Sequence, residues 1–132
     1  MNEYLQQLIS FYVNALQAGN QKVDVILNCE PLALSSKKAV PIGLIVNELV
    51  TNAYKYAFPE NYENGKINIL LKSNADGTAS LNVKDNGPHS DQNIGKEGFG
   101  SKLIKALTSQ LGGKLEWQKE QGHCYSITFN II

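Results

Sequence analysis

Residues 40–58 read VPIGLIVNELVTNAYKYAF. This stretch carries two patterns that organise the reading of the whole chain. Ile42, Ile45, Val46, Leu49, Ala53 and Ala57 recur at helical spacing and form an apolar stripe. Asn47, Glu48, Thr51, Asn52 and Lys55 lie on the opposite face, brought side by side by steps of three and four residues. A polar helix face is most often simply solvated. Two Asn in mid-helix count against that here, because Asn is a mediocre helix former and packing does not ask for it. The same set of a carboxylate, two carboxamides, a hydroxyl and an ammonium can also hold a hydrated divalent cation and phosphate oxygens. Asn and Glu oxygens suit Mg2+, and Lys suits phosphate.

Outward from this helix, residues 2–18 place Leu5, Leu8, Ile9, Tyr12 and Leu16 at helical spacing, and Gly19-Asn20 ends the pattern. Val23, Val25 and Leu27 alternate along a strand at 23–29. Ser35 or Ser36 is placed to cap the central helix, Pro41 leaves its first turn open, and Phe58-Pro59 closes it. After a polar loop at 61–65, Ile67, Ile69 and Leu71 share one face of a strand at 66–72. Asp76-Gly77 signals a tight turn into a second strand at 79–84. Residues 85–100, DNGPHSDQNIGKEGFG, have no apolar period and read as a loop, and such a loop between packed elements more often serves function than not. Leu103, Ile104, Leu107 and Leu111 restore helical spacing at 99–111, with Gly112-Gly113 ending it. Strands at 114–119 and 125–131 form a closing hairpin around Gln121-Gly122, with Tyr125, Ile127, Phe129 and Ile131 facing inward.

This order of elements predicts an α+β fold. It is a two-layer sandwich, with a mixed, mostly antiparallel sheet and helices on one face. A chain of 132 residues suffices for one domain with a real core. Twelve basic residues balance twelve acidic ones, so charge points to neither nucleic acid nor an anionic membrane. Cys29 and Cys124 have no metal-ligand spacing and read as reduced thiols, as in the cytoplasm. No apolar run is long enough to span a bilayer. Trp117 and the tyrosines read as packing or surface residues rather than base-stacking groups.

NELVTNAYKYAF, then DNG, then GFGSKLIKALTSQLGG, together resemble the ATP-binding catalytic domain of bacterial sensor histidine kinases. The likeness is to the subgroup whose N-box reads like PLGLIVNELVTNALKHAF, and it runs from about Val23 to the C-terminus. This is the Bergerat (GHKL) ATP-binding fold, shared more distantly with gyrase B, Hsp90 and MutL. DNG or GFG alone is a weak signal; all three motifs in this order are a strong one.

The resemblance implies a role for each matching position. Asn52 matches the residue that coordinates the Mg2+ bridging the ATP phosphates. Glu48, one turn earlier, matches an acidic position that orders the metal and its water in kinases and is the general base in the gyrase branch; Asn47 supports it. Lys55 matches a phosphate-contacting lysine, and Tyr56 stands near the nucleotide. Asp85 matches the residue that accepts a hydrogen bond from the adenine amino group. Its chemistry holds independently, since a buried carboxylate accepts from an exocyclic amine and disfavours guanine, which presents a carbonyl there. Gly87 lets the backbone approach the base, and Gly98 and Gly100 match the second glycine box, where a helix start favours phosphate. Asp85 as a plain turn residue, Lys55 as a solvated lysine and the two glycines as an ordinary helix start are the structural alternatives.

One position departs from the family pattern. Where the first glycine box has its second glycine, this chain has His89, followed by a short lid at 88–97. A side chain there either crowds the adenine pocket or points to solvent. A second departure is that neither His89 nor His123 follows the phosphoacceptor pattern, and both fall in loop contexts. The expected activity is therefore transfer of the ATP γ-phosphate to a histidine on a separate dimerisation domain, and the chain does not autophosphorylate alone. Residues 1–20 are expected to continue from that domain and 21–132 to form the catalytic domain, a cytoplasmic module that serves a response regulator indirectly. Two other readings stay open: a degenerate docking module without nucleotide, favoured by His89, and a gyrase/MutL-type ATP hydrolase, favoured by Glu48.

Overall fold

The structure is a computed structural model that describes residues 7, 23–30, 32, 34–53, 64–87, 99–119 and 122–131. The order is β1 (Val23–Cys29), α1 (Ser36–Asn52), β2 (Gly65–Ser73), β3 (Thr78–Asp85), α2 (Phe99–Gln110), β4 (Lys114–Lys119) and β5 (His123–Asn130). The strands form one five-stranded sheet in the order β1-β2-β3-β5-β4. β1 and β2 are parallel, as their connection through α1 requires, and the other three pairings are antiparallel. β5 lies between β3 and β4, so the closing hairpin folds back and inserts its second strand into the sheet rather than adding both at an edge.

Burial alternates along β2 and β3 as the apolar alternation predicts. Ile67, Ile69 and Leu71, Ala79, Leu81 and Val83, and Ile127 and Phe129 are all buried on one face. Pairing aligns them in rows, such as Leu71, Leu81 and Ile127. The two helices cover this face with Ile42, Ile45, Val46, Leu49, Val50 and Ala53 from α1, and Ile104 and Leu107 from α2, with Leu111 following. The other face is mostly polar, with Ile26 exposed on it, and there the Ser126 hydroxyl donates to Asn82 Oδ1 at 2.5 Å across the β3–β5 pair. This is the two-layer α+β sandwich expected from the sequence.

Local signals hold with specific adjustments. Ser35 is the N-cap of α1, but its carbonyl, not its hydroxyl, receives the amides of Lys38 and Ala39. Pro41 lies inside the helix, in its second turn, and is buried, giving up the backbone bond to the Lys37 carbonyl. At the β2–β3 turn, Gly77 takes φ +83°. The Asp76 carboxylate accepts the Thr78 hydroxyl at 2.6 Å and its amide at 3.2 Å, which holds the carboxyl below its usual pKa. In α2 the buried Thr108 hydroxyl donates to the Ile104 carbonyl, so its burial leaves no polar atom unpaired. Cys29 and Cys124 are free thiols, and burial raises the pKa of Cys29. No helix among the described residues is long and apolar enough to cross a membrane. The expected helix at 2–18, except residue 7, the end of the central helix at Phe58-Pro59 and the lid at 88–97 lie outside the described residues.

Candidate functional site

The polar face of α1 is not a fully solvated one. Asn47, Glu48, Thr51 and Asn52 are half-buried, whereas apolar Val40 and Leu44 of the same helix are exposed at 48% and 43%. A helix that shelters carboxamides and a carboxylate while exposing Val and Leu is not sorted by hydrophobicity alone. The Thr51 hydroxyl donates to Asn47 Oδ1 at 3.3 Å, which engages Asn47 within the helix. Glu48 and Asn52 stand one turn apart, and their oxygens are the hard donors that Mg2+ prefers. The donor chemistry of this pair therefore fits the metal. Lys55 and Tyr56 lie outside the described residues.

The DNG motif begins in the sheet rather than in a loop. Asp85 is the last residue of β3 and only 5% exposed. Its Oδ1 accepts the Gly87 amide at 2.9 Å and the His123 amide at 3.3 Å, and His123 Nδ1 stands 3.3 Å from the same oxygen. The Gly87 bond is an Asx turn, so the plain turn reading of Asp85 describes part of what it does. The carboxylate is nonetheless buried and oriented, which turn chemistry alone does not require. Gly87 is buried beside it. Gly100 falls in the first turn of α2, while Gly98 lies outside the described residues.

Three residues around Asp85 were not legible from the sequence as part of a site. Asn86 ties the motif to β2: its amide donates to the Lys66 carbonyl at 3.2 Å, its Oδ1 accepts the Lys66 amide at 2.7 Å, and its Nδ2 donates to the Asn64 carbonyl at 2.9 Å. His123 corrects the expectation of a loop residue. It opens β5 two positions earlier than the alternation from Tyr125 suggested, and it is fully buried. The Trp117 ring lies nearly parallel to it, centroids 6.3 Å apart.

Gly122 makes the approach possible. It takes φ +125°, and a Cβ there would stand 2.0 Å from the Asp85 carbonyl oxygen and 3.0 Å from Asn86 Cα. Both obstacles are backbone, so Gly122→Ala must push the end of β3 away from the start of β5. We expect it to destabilise the fold by about 1–3 kcal/mol, readable as a lower denaturation midpoint.

Comparison with known proteins agrees with this architecture. The Histidine kinase-, DNA gyrase B-, and HSP90-like ATPase family matches residues 37–131. The histidine kinase domain of the Erythrobacter litoralis EL346 blue-light activated histidine kinase superposes with a TM-score of 0.83 at 22% identity, over 98% of this chain and 60% of that one. The catalytic domain of histidine kinase ThkA gives 0.75 at 18% identity, over 98% of this chain and 92% of that one. The Acinetobacter baumannii histidine kinase AdeS gives 0.73 at 16% identity, over 98% of this chain and 64% of that one. The chain thus spans 60% of the first of these. No curated protein matches it at the level of sequence. At these identities the structural likeness concerns the fold, whereas the family match covers most of the chain and both helices that carry candidate site residues. The chain belongs to the histidine kinase-, DNA gyrase B- and HSP90-like ATPase family.

Proposed function

We propose that this chain is the ATP-binding catalytic domain of a bacterial two-component sensor histidine kinase, acting as a phosphotransferase on a histidine of a separate dimerisation domain. The observation that carries the reading is the buried Asp85 carboxylate, oriented at the end of β3 by donors that converge on Oδ1. The second oxygen of the same carboxylate, Oδ2, is then the acceptor for the 6-amino group of adenine. Glu48 and Asn52 would hold Mg2+ with Asn47 in support, and Lys55 and Tyr56 are the residues assigned to the phosphates and the nucleotide. Gly87 admits the base, and Gly98 and Gly100 bring amides to the phosphates at the start of α2. When bound, Mg2+ neutralises phosphate charge; the chain itself contributes positioning and electrostatics, which phosphoryl transfer chiefly needs.

The acceptor histidine belongs to another domain in this reading. His123 is fully buried in the sheet and closed to a phosphoryl donor, which supports an acceptor histidine outside this domain. Residues 1–20 then lead from the dimerisation domain, 21–132 form the catalytic domain, and the response regulator receives the phosphoryl group in a later step. The module works in the cytoplasm, without contact to nucleic acid or to the bilayer itself.

Calorimetric titration with ATP, with and without Mg2+, tests the proposal. Binding in the micromolar to sub-millimolar range is expected. In Asn52→Ala the gain in affinity that Mg2+ provides should largely vanish, while affinity for metal-free ATP changes little. An absence of heat and of chemical-shift change at millimolar ATP would sink the kinase reading. It would favour a docking module that has lost its nucleotide, the alternative that His89 in the first glycine box supports; His89→Gly is then the rescue to attempt.

A further inference from the structure

His123 is the one buried ring nitrogen site in the described sheet that the proposed reaction does not use. Both its nitrogens are informative. Nδ1 faces Asp85 Oδ1 at 3.3 Å, an oxygen that already accepts two backbone amides. An ionised carboxylate only accepts, so a bare Nδ1 lone pair there would oppose it; the contact is favourable only with the proton on Nδ1. In the neutral ring Nε2 is then an acceptor. It is buried and has no hydrogen-bond partner among the described residues. An unpaired buried nitrogen is a cost that an apolar side chain of similar size would not carry. The Trp117 ring lies nearly parallel to the imidazole, with centroids 6.3 Å apart. Packing alone therefore gives no reason for histidine at this place, whereas a third donor to one oxygen of Asp85 does.

We propose that His123 is a positioning residue for base recognition: as the Nδ1–H tautomer it holds Asp85 Oδ1, so that Oδ2 is presented to an exocyclic amine. The inference rests on the reading of Asp85 as the acceptor for adenine. His123 touches neither phosphate nor metal in this scheme. Its effect is confined to discrimination between a 6-amino and a 6-keto purine, because a carboxylate free to rotate or tilt presents its acceptor less well.

Two measurements test it, one independent of any ligand. The imidazole 15N spectrum of the folded domain should show a proton on Nδ1; a ring with Nδ1 bare, the Nε2–H tautomer, overturns the proposal. Calorimetric titrations with ATP and with inosine triphosphate then compare the wild type with three variants. His123→Leu should keep the denaturation midpoint or raise it, and lose about tenfold of the preference for ATP. His123→Gln, whose amide reaches the Nε2 end and leaves Asp85 without the side-chain donor, should lose the preference similarly. His123→Asn, whose Nδ2–H stands close to the place of Nδ1–H, should retain most of it. Equal loss of both nucleotides in His123→Leu and His123→Gln, or an unchanged preference in both, overturns the positioning role. If wild-type protein does not prefer ATP over inosine triphosphate, or if Asp85→Asn leaves that preference intact, the adenine reading itself fails and this inference falls with it. The tautomer then still shows whether the Asp85–His123 contact forms.

Discussion

Asp85→Asn should weaken ATP binding by about 10- to 100-fold and leave the fold standing. The substitution separates the two oxygens of the carboxylate by role. Oδ1 accepts the Gly87 and His123 amides, and an Asn carbonyl oxygen can accept both in the same place. The amide nitrogen then replaces Oδ2, putting a donor against the donor of the adenine amino group. A hydrogen bond to a charged group contributes about 1.5–3 kcal/mol, and about 1.4 kcal/mol corresponds to tenfold in affinity, which sets the range. The sign should reverse for a 6-keto purine, whose carbonyl can accept from the new amide. Calorimetry with ATP and inosine triphosphate measures both, and a circular dichroism melt checks that the domain remains folded. Undiminished ATP affinity would mean that Asp85 serves only the turn and the start of β5.

Phe129→Ala should cost about 3–5 kcal/mol, the usual range for a fully buried Phe. Phe129 is 1% exposed and lies opposite Ala79, in the core that both helices close. No larger neighbour stands across that pair to fill the space, so relaxation recovers little. Since a domain of this kind is stable by about 5–15 kcal/mol, the loss is a large share of the total. A fall of roughly 10–20 °C in the thermal midpoint follows. Trp117→Ala is the internal comparison: Trp117 is larger but 40% exposed on the β4 edge, so its removal leaves a smaller cavity and should shift the midpoint less. A drop for Trp117→Ala equal to that for Phe129→Ala would show that the stack on His123 carries more stability than burial predicts.

These two expectations draw on different kinds of information in the chain. The alternation in β2, β3 and β5 and the stripes in α1 and α2 specify which side of each element is buried, because periodicity is local and a residue's neighbours along the chain already reveal it. The inward residues Ile67, Ile69, Leu71, Ile127 and Phe129 were therefore readable before any pairing was known, and so were the polar positions Asn47, Glu48 and Asn52 and the turn at Asp76-Gly77. What the sequence by itself determined is thus the α+β sandwich, its core and, through the order of the three motifs, its family. The tertiary structure alone decided which strand lies beside which. β5 takes the place between β3 and β4, and this brings His123 to Asp85 across 38 positions of chain. A face pattern of period two says which side of a strand is apolar but not which partner it will meet or in what register. For the same reason the fit of Gly122 against the Asp85 carbonyl, the bonds of Asn86 to Lys66 and the burial of His123 depend on packing between distant segments, where no local signal in the sequence distinguishes them from ordinary turn residues.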